Sequence, residues 1–191
     1  RLSRYADIIH EQYDRLNGQV EKVLQIARIE QGKFELNKEY VDLHVIVQPL
    51  LSGLKIHQEE KGGQLTCELP EGPIIIHAVP LHFSAILHNL LDNAIKYSGE
   101  TSQVQLVGKR AKKGLFLVSV IDNGPGISVD QRERVFEKFY RISTGNVHDV
   151  KGFGLGLYYV REICRSHGWS IEIDSDYKDG TKFNILLPCK E

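Results

Sequence analysis

The sequence contains no methionine, only three cysteines and one tryptophan, and its positive and negative charges nearly cancel. Cys67, Cys164 and Cys189 include no Cys-x-x-Cys pair, so they predict neither a disulfide framework nor a zinc site and suit a reducing compartment. A net charge of -1 argues against a general nucleic-acid binder. No apolar run approaches the roughly 20 residues that a membrane-spanning helix needs, so we expect none of this polypeptide to be embedded in a membrane.

The missing initiator methionine leads us to expect a fragment of a longer protein, since the chain also begins inside a helical pattern at Arg1. The remaining composition is ordinary, because 41% apolar and 26% charged residues are typical of a globular protein. At 191 residues the chain is long enough to bury a substantial core.

Residues 1–33 carry a heptad pattern, with apolar or small residues in alternating steps of four and three. These positions are Leu2, Ala6, Ile9, Tyr13, Leu16, Val20, Val23 and Ala27. Charged residues fill the intervals, so the pattern predicts a long helix that packs in a coiled coil or a helical bundle. A single amphipathic surface helix is the alternative, and Gly32 is the predicted stop in either case.

The rest of the chain mixes strand and helix patterns in clusters. Strands are predicted over 34–41, 64–69, 74–79, 103–108, 115–121, 169–175 and 182–187. Helices are predicted after Asp42, over 81–97 and over 152–167, and a short helical piece ends at 136–141. Because strands and helices do not alternate regularly, we expect an α+β fold: a two-layer sandwich in which helices cover one face of a mixed sheet.

Asp122 stands at the predicted end of strand 115–121 and opens the turn Asn123-Gly124-Pro125-Gly126-Ile127. Gly124 and Gly126 can take backbone conformations closed to other residues, which lets a flat ligand approach the main chain. A carboxylate held there can accept a hydrogen bond from an exocyclic amine such as that of adenine. The alternative is a tight turn with no ligand.

The predicted helix 81–97 has two distinct faces. One face is apolar and would pack on the sheet: Leu87, Leu90, Leu91 and Ala94. Asn89, Asn93 and Lys96 follow a different stripe, with Tyr97 at its margin. Amide oxygens suit Mg²⁺ and an amine suits a phosphate, so this stripe is a candidate site for a metal and phosphates. A solvated helix face is the alternative.

A glycine-rich segment, Gly152-Phe153-Gly154-Leu155-Gly156-Leu157, leads directly into the last predicted helix. Backbone N–H groups at a helix N-terminus bind anions, so the segment is a candidate phosphate cradle. It matches neither the Rossmann nor the P-loop pattern. Close packing of a helix start is the alternative.

The order of these segments closely resembles the ATP-binding domain of sensor histidine kinases. Its N, G1, F, G2 and G3 boxes would be 89–97, 122–127, 136–141, 152–157 and 180–181. Residues 34–191 would then form the catalytic domain, with a Bergerat-type ATP-binding fold. Residues 1–33 are similar to the second helix of the family's dimerisation and histidine-phosphotransfer hairpin.

At the adenine end, the resemblance implies that Asp122 binds the adenine amine with support from Thr181. Tyr97 would touch ribose or adenine. Three residues of the turn would complete the nucleotide contacts: Gly124, Gly126 and Ile127.

At the phosphate end, the resemblance implies that Asn93 is the chief Mg²⁺ ligand, with Asn89 beside the metal and phosphates. Lys96 would meet a phosphate and Arg141 the γ-phosphate. The lid over the triphosphate would comprise Gly152, Phe153, Gly154, Leu155, Gly156 and Leu157. Phe153 occupies a position at which small or hydroxylated residues are also common in the family.

The family's phosphoacceptor is a histidine followed by an acid and, five positions after the histidine, a proline. Of the eight histidines here, only His10 and His148 precede an acid, and neither has the proline. We therefore predict that this chain binds ATP and does not phosphorylate itself. The resemblance further implies a homodimeric parent with its acceptor hairpin, a response-regulator receiver domain as partner, and a cytoplasmic domain of a membrane-anchored protein.

Two other functions stay open. The first is a non-kinase ATPase of the same superfamily, although those enzymes have a glutamate base where Asn89 stands. The second is a module that binds nucleotide weakly, or mainly dimerises, without catalysis.

Overall fold

The computed structural model describes residues 36–59, 62–99, 101–112, 114–142 and 153–190, together with scattered positions between 9 and 31. The chain divides into two compact units, Arg1–Glu35 and Leu36–Glu191. In the first unit, the described positions from Ile9 to Arg28 are helical, as predicted, while Gly32 lies outside the described residues. Five of the heptad positions are exposed: Ile9, Tyr13, Leu16, Val20 and Val23.

The second unit contains seven strands and three helices among its described residues. In chain order they are β1 (Glu39–Asp42), α1 (Leu43–Glu59), β2 (Gln64–Glu68), β3 (Ile75–Ala78), α2 (Pro80–Tyr97), β4 (Gln103–Arg110), β5 (Leu115–Asp122), α3 (Gly156–His167), β6 (Ser170–Ile173) and β7 (Thr181–Pro188). Two short 3₁₀ turns, Val129–Gln131 and Arg134–Phe136, precede α3. None of the described helices combines the length and the apolarity that crossing a bilayer requires.

Five strands form one mixed sheet in the order β2-β4-β5-β7-β6, in which β2 and β4 are parallel and the other pairs antiparallel. Helix α1 packs on β2, α2 on β4 and β5, and α3 on β6. The helices therefore form one layer over the sheet, which confirms the predicted α+β sandwich.

Alternation along β5 decides which of its side chains reach the core. Phe116, Val118 and Val120 are at most 1% exposed and share one face of the strand. Asp122 continues that face at the last position of β5 and is 5% exposed. The carboxylate is thus delivered to the buried side of the sheet at the strand's end, as the sequence predicted.

Three predictions need correction. Among the described residues of the strand predicted over 34–41, the strand begins only at Glu39; it runs to Asp42 and pairs with β3 in a separate two-stranded sheet. The helical piece ends at Phe136, earlier than predicted, because the chain turns through a left-handed conformation at Phe139, with φ of 65°. The helix predicted from residue 152 begins at Gly156, after a left-handed Gly154 with φ of 68°.

Candidate functional site

Asp122 is held in place by donors from two sides. The backbone N–H groups of Gly124 and Thr181 donate to its Oδ1 at 2.8 and 3.2 Å. Thr181 is also its cross-strand neighbour in β7, and the Thr181 side chain makes a further hydrogen bond to the carboxylate. Burial raises the pKa of Asp122 above its ordinary value, and these hydrogen bonds oppose that rise. The result is a fixed, largely desolvated acceptor, suited to an N–H donor on a ligand.

Glycines allow three chain segments to approach this carboxylate. A Cβ on Gly180 would overlap the carbonyl oxygen of Asp122, and φ at Gly180 is 148°. A Cβ on Gly126 would lie 3.1 Å from the Gly180 oxygen. On the other side, a Cβ on Gly124 would lie 3.0 Å from the carbonyl oxygen of Tyr97, at the end of α2. The predicted N, G1 and G3 segments therefore meet here because side chains are missing at these three positions.

Helix α2 carries the predicted amide stripe. Its apolar face is buried as expected, with Leu87, Leu90 and Leu91 fully inaccessible. Asn89 is also buried, at 7% exposure, and its Nδ2 donates to the Ala85 carbonyl oxygen at 2.7 Å. This bond directs the amide oxygen away from the helix backbone.

The glycine-rich segment meets α2 at that oxygen. A Cβ on Gly156, the first residue of α3, would lie 3.1 Å from Asn89 Oδ1. The N-terminus of α3 is thus placed beside a buried amide oxygen, as a phosphate cradle next to a metal ligand would require. Leu155 is buried, Leu157 is half-buried and Phe153 is exposed, while Gly152 lies outside the described residues.

The remaining residues of the stripe face solvent to different degrees. Asn93 is half-buried, one helical turn from Asn89. Lys96 forms an ion pair with Asp92, which the sequence reasoning did not identify although the two are four residues apart. Tyr97 is 46% exposed at the end of α2, beside the Asp122 turn.

The predicted F segment contacts the glycine-rich segment through its backbone. The Phe139 N–H donates to the Gly154 carbonyl oxygen at 3.0 Å, and a Cβ on Gly154 would lie 2.6 Å from the Tyr140 oxygen. Arg141 follows and is exposed. Ile127, in the turn after Asp122, accepts a hydrogen bond from Arg132 through its carbonyl oxygen.

The donor set fits Mg²⁺ better than a transition metal. Among the described residues, no group of three or more His, Cys, Asp or Glu side chains could hold a metal ion. The candidate ligands are the amide oxygens of Asn89 and Asn93, which are hard and neutral. Mg²⁺ commonly takes few protein ligands and completes its shell with water and phosphate oxygens, so the residues present fit this ion.

Sequence reasoning missed two residues that shape the site. The sequence predicted Gly180 only as part of the 180–181 motif. In the structure its backbone lies against the Asp122 carbonyl oxygen, immediately before β7 begins at Thr181. Asn123 was read as part of the turn, but its side chain bonds two backbone groups at the start of β4. An asparagine before a glycine in a turn was the available signal, since asparagine side chains often bond nearby backbone.

Comparison with known proteins relates the chain to one family. The sequence profile described as histidine kinase-, DNA gyrase B- and HSP90-like ATPase matches residues 78–191. Sensor protein RprX of Bacteroides fragilis is 37% identical over 184 residues, which cover 96% of this chain and 36% of that protein. Histidine protein kinase DivJ of Caulobacter vibrioides is 31% identical over 98% of this chain and 31% of its own length. The chain therefore spans about a third of these relatives.

Solved structures show the same fold. Full-length ShkA in complex with AMPPNP superposes with a TM-score of 0.80 at 28% identity, covering 97% of this chain and 38% of that chain. Histidine kinase ThkA in complex with response regulator protein TrrA superposes with a TM-score of 0.76 at 21% identity, covering 100% of this chain and 52% of that chain.

Proposed function

The chain belongs to the family of histidine kinase-, DNA gyrase B- and HSP90-like ATPases, as the ATP-binding catalytic domain of a sensor histidine kinase, and from this premise we propose that it binds Mg-ATP and transfers the γ-phosphoryl group to a histidine. The observation that carries the proposal is the buried carboxylate of Asp122, surrounded by glycine contacts and held by backbone donors. ShkA, a relative at 28% identity, was solved with the ATP analogue AMPPNP, which supports the same class of ligand.

The adenine end would be formed by Asp122, which accepts a hydrogen bond from the exocyclic amine. Thr181 supports the carboxylate through its N–H and its side chain. Gly124 and Gly126 let the turn pack closely against the backbone of Tyr97 and Gly180. These two glycines, Ile127 after them and Tyr97 at the margin of the turn would complete the contacts to the base. A base without an amine at this position would leave a buried carboxylate facing a non-donor, which is costly.

The phosphate end would be formed by α2 and the start of α3. Asn89 and Asn93 would hold Mg²⁺, which neutralises phosphate charge when bound. Lys96 is on the same face of α2 and would exchange Asp92 for a phosphate oxygen. Arg141 would reach the γ-phosphate. Positioning and charge neutralisation are the main requirements of phosphoryl transfer, so these groups are an adequate chemical set.

The nucleophile would come from outside this chain. None of the eight histidines has the acid and proline spacing of the family's acceptor, so we place the acceptor on the dimerisation hairpin of a homodimeric parent. Residues 1–33 would supply the second helix of that hairpin. The phosphoryl group would then pass to an aspartate of a response-regulator receiver domain, with the catalytic domain in the cytoplasm of a membrane-anchored parent.

Calorimetry with Mg²⁺ and AMPPNP tests the nucleotide site. We expect the wild type to bind and Asp122→Ala to bind at least about tenfold more weakly, since a hydrogen bond to a charged group contributes roughly 1.5 to 3 kcal/mol. Asp130→Ala removes an exposed acid from the nearby 3₁₀ turn and is the matched control, with unchanged binding. Absence of binding by the wild type would instead favour a dimerisation module.

Radiolabelled ATP tests the acceptor. We expect no acid-labile phosphate on this chain, because the acceptor histidine is missing. Labelled phosphohistidine on the isolated chain would contradict that part of the proposal. Sustained release of inorganic phosphate would favour the non-kinase ATPase, although Asn89 cannot act as the general base such an enzyme uses.

A further inference from the structure

Asn123 connects the turn after Asp122 to the start of a neighbouring strand. Its Oδ1 accepts a hydrogen bond from the Gln103 N–H at 2.9 Å, and its Nδ2 donates to the Thr101 carbonyl oxygen at 3.0 Å. The side chain thus pairs with one donor and one acceptor of the backbone, as a residue of an adjacent strand would. It extends the β4–β5 ladder beyond its last backbone pair, Val104 with Asp122.

The backbone segment 101–103, to which Asn123 is hydrogen-bonded, is itself held by neighbouring elements. Between the two bonded residues lies Ser102, whose carbonyl oxygen accepts hydrogen bonds from the Gln64 N–H at 2.8 Å and from Gln58 Nε2 at 3.4 Å. Gln58 and Ser102 are 1% and 5% exposed. A Cβ on Gly63 would collide with the Gln58 side chain, so this packing is tight. The segment 101–103 is therefore a fixed support, joined to α1 and β2.

The position of Asn123 in the chain couples this support to the carboxylate. Asn123 lies between Asp122 and Gly124, and the Gly124 N–H is the closer of the two backbone donors to Asp122 Oδ1, at 2.8 Å. Rotation of the peptide units around Asn123 would move that N–H and remove one of the two backbone hydrogen bonds that orient the carboxylate.

The geometry points to Asn123 as a positioning residue for base recognition, which holds Asp122 in the orientation that selects a purine with an exocyclic 6-amine. This inference rests on the proposed function, in which Asp122 recognises adenine. It assigns to Asn123 a role in specificity that acts through Asp122, without contact to the nucleotide. A role restricted to turn stability would lower the folding stability and leave base preference unchanged.

Binding of ATP and ITP, compared by calorimetry with Mg²⁺, separates these two roles. ITP carries a carbonyl oxygen in place of the 6-amine, so the group at that position cannot donate a hydrogen bond to the carboxylate. We expect the wild type to prefer ATP, and Asn123→Ala to lower the ATP-to-ITP affinity ratio by about fivefold to tenfold, the scale of one hydrogen bond. Affinity for ITP should stay within about twofold of the wild type.

Ser119→Ala is the matched control for lost stability. Ser119 lies on the same strand, three residues before Asp122, and its Oγ donates to Asn184 Oδ1 at 2.7 Å in a buried pair. This variant should lower the thermal midpoint and keep the wild-type ratio. Asn123→Asp retains the acceptor for Gln103 and loses the donor to Thr101, so its ratio should fall between those of the wild type and Asn123→Ala.

Two outcomes would overturn the inference: a wild-type ratio in both Asn123 variants, or an equal loss of ratio in Ser119→Ala. If Asn123→Ala does not fold, a wild-type ratio in Asn123→Asp overturns it alone. A wild type that binds ATP and ITP equally would refute the proposed role of Asp122 itself, and failure at that level is visible before any Asn123 variant is measured.

Discussion

Acidification should destabilise this fold through His167, the last residue of α3. His167 is 6% exposed, and its two ring nitrogens have different backbone neighbours. The Val79 N–H donates to Nε2 at 3.3 Å, while Nδ1 lies 3.0 Å from the Ile163 carbonyl oxygen. Because Nε2 must accept, we assign the ring proton to Nδ1, which donates to Ile163. Protonation of Nε2 would remove its acceptor and break the connection between α3 and the start of α2.

The surroundings oppose a positive charge on this ring. Burial is the main cause that lowers the pKa of His167 from its ordinary value of 6.5 to about 4; positive charge on His82, Lys38 and His77 acts in the same direction, and the hydrogen bond to Ile163 opposes it. Between these two pH values the unfolded chain binds more protons than the folded chain. The contribution of His167 to the free energy of unfolding is therefore fully present well above pH 6.5, and it is lost as the pH falls from 6.5 toward 4.

The difference between the pKa of His167 in the unfolded and folded chain determines how much stability is lost on acidification. At about 1.4 kcal/mol per pKa unit, the full effect of His167 on the free energy of unfolding is about 3 kcal/mol, of which about 2 kcal/mol is lost by pH 5. This is a large share of the roughly 5 to 15 kcal/mol that stabilises a domain. Burial also lowers the pKa of His82, which adds a loss in the same direction.

Urea unfolding followed by tryptophan fluorescence measures this effect. The only tryptophan, Trp169, packs against His167 with ring centroids 4.3 Å apart, so its emission reports on this region. We expect the free energy of unfolding to fall between pH 7.5 and 5 in the wild type and much less in His167→Gln. The exposed His88→Gln is the control and should keep the wild-type slope. An equal slope in wild type and His167→Gln would refute the reasoning, as would an NMR titration that shows the His167 imidazole protonated at pH 6.

Two further predictions concern the loop that joins β6 to β7. Gly180→Ala should lower the free energy of unfolding by more than about 2 kcal/mol, because its Cβ would overlap the Asp122 carbonyl oxygen. Gly72→Ala is the control in the same urea experiment. Gly72 has φ of 84° and nothing within 4 Å of its Cβ, so this variant should cost only about 1 kcal/mol. Similar losses for both variants would contradict the close approach. Asp174→Asn should lower the free energy of unfolding by about 1 kcal/mol at pH 7, because the Lys182 ammonium, 2.8 Å away, holds the pKa of Asp174 at about 2. The difference in stability between wild type and variant should disappear as the pH falls from 3.8 through about 2.

Much of the fold could be predicted from local pattern. The apolar run before Asp122 and the two faces of helix 81–97 both appear in the structure at the predicted places. Periodicity is a property of adjacent residues, and it reports which side chains share a face without knowledge of the partner. For this reason helix α2 was predicted to within one residue, although its packing on β4 and β5 was not.

The errors arose where conformation depends on a distant segment. The strand Glu39–Asp42 pairs with β3, from which helix α1 and strand β2 separate it in the chain, so its short length and separate sheet follow from a tertiary contact. The left-handed backbone at Phe139 accompanies a hydrogen bond to the Gly154 oxygen, fifteen residues away. A bulky residue in that conformation is unfavourable by itself, and no local rule predicts it.

The sequence by itself determined the α+β class, the order of the five segments and the placement of Asp122 at the end of a buried strand. The tertiary structure alone decided how those segments meet: Gly180 against Asp122, Gly156 against Asn89, and the Asn123 side chain paired with the backbone at 101–103. The physical reason is that hydrophobic pattern and turn chemistry act between neighbours in the chain. Side-chain pairing and glycine contacts depend on strand register and helix packing, which exist only after residues far apart in sequence have come together.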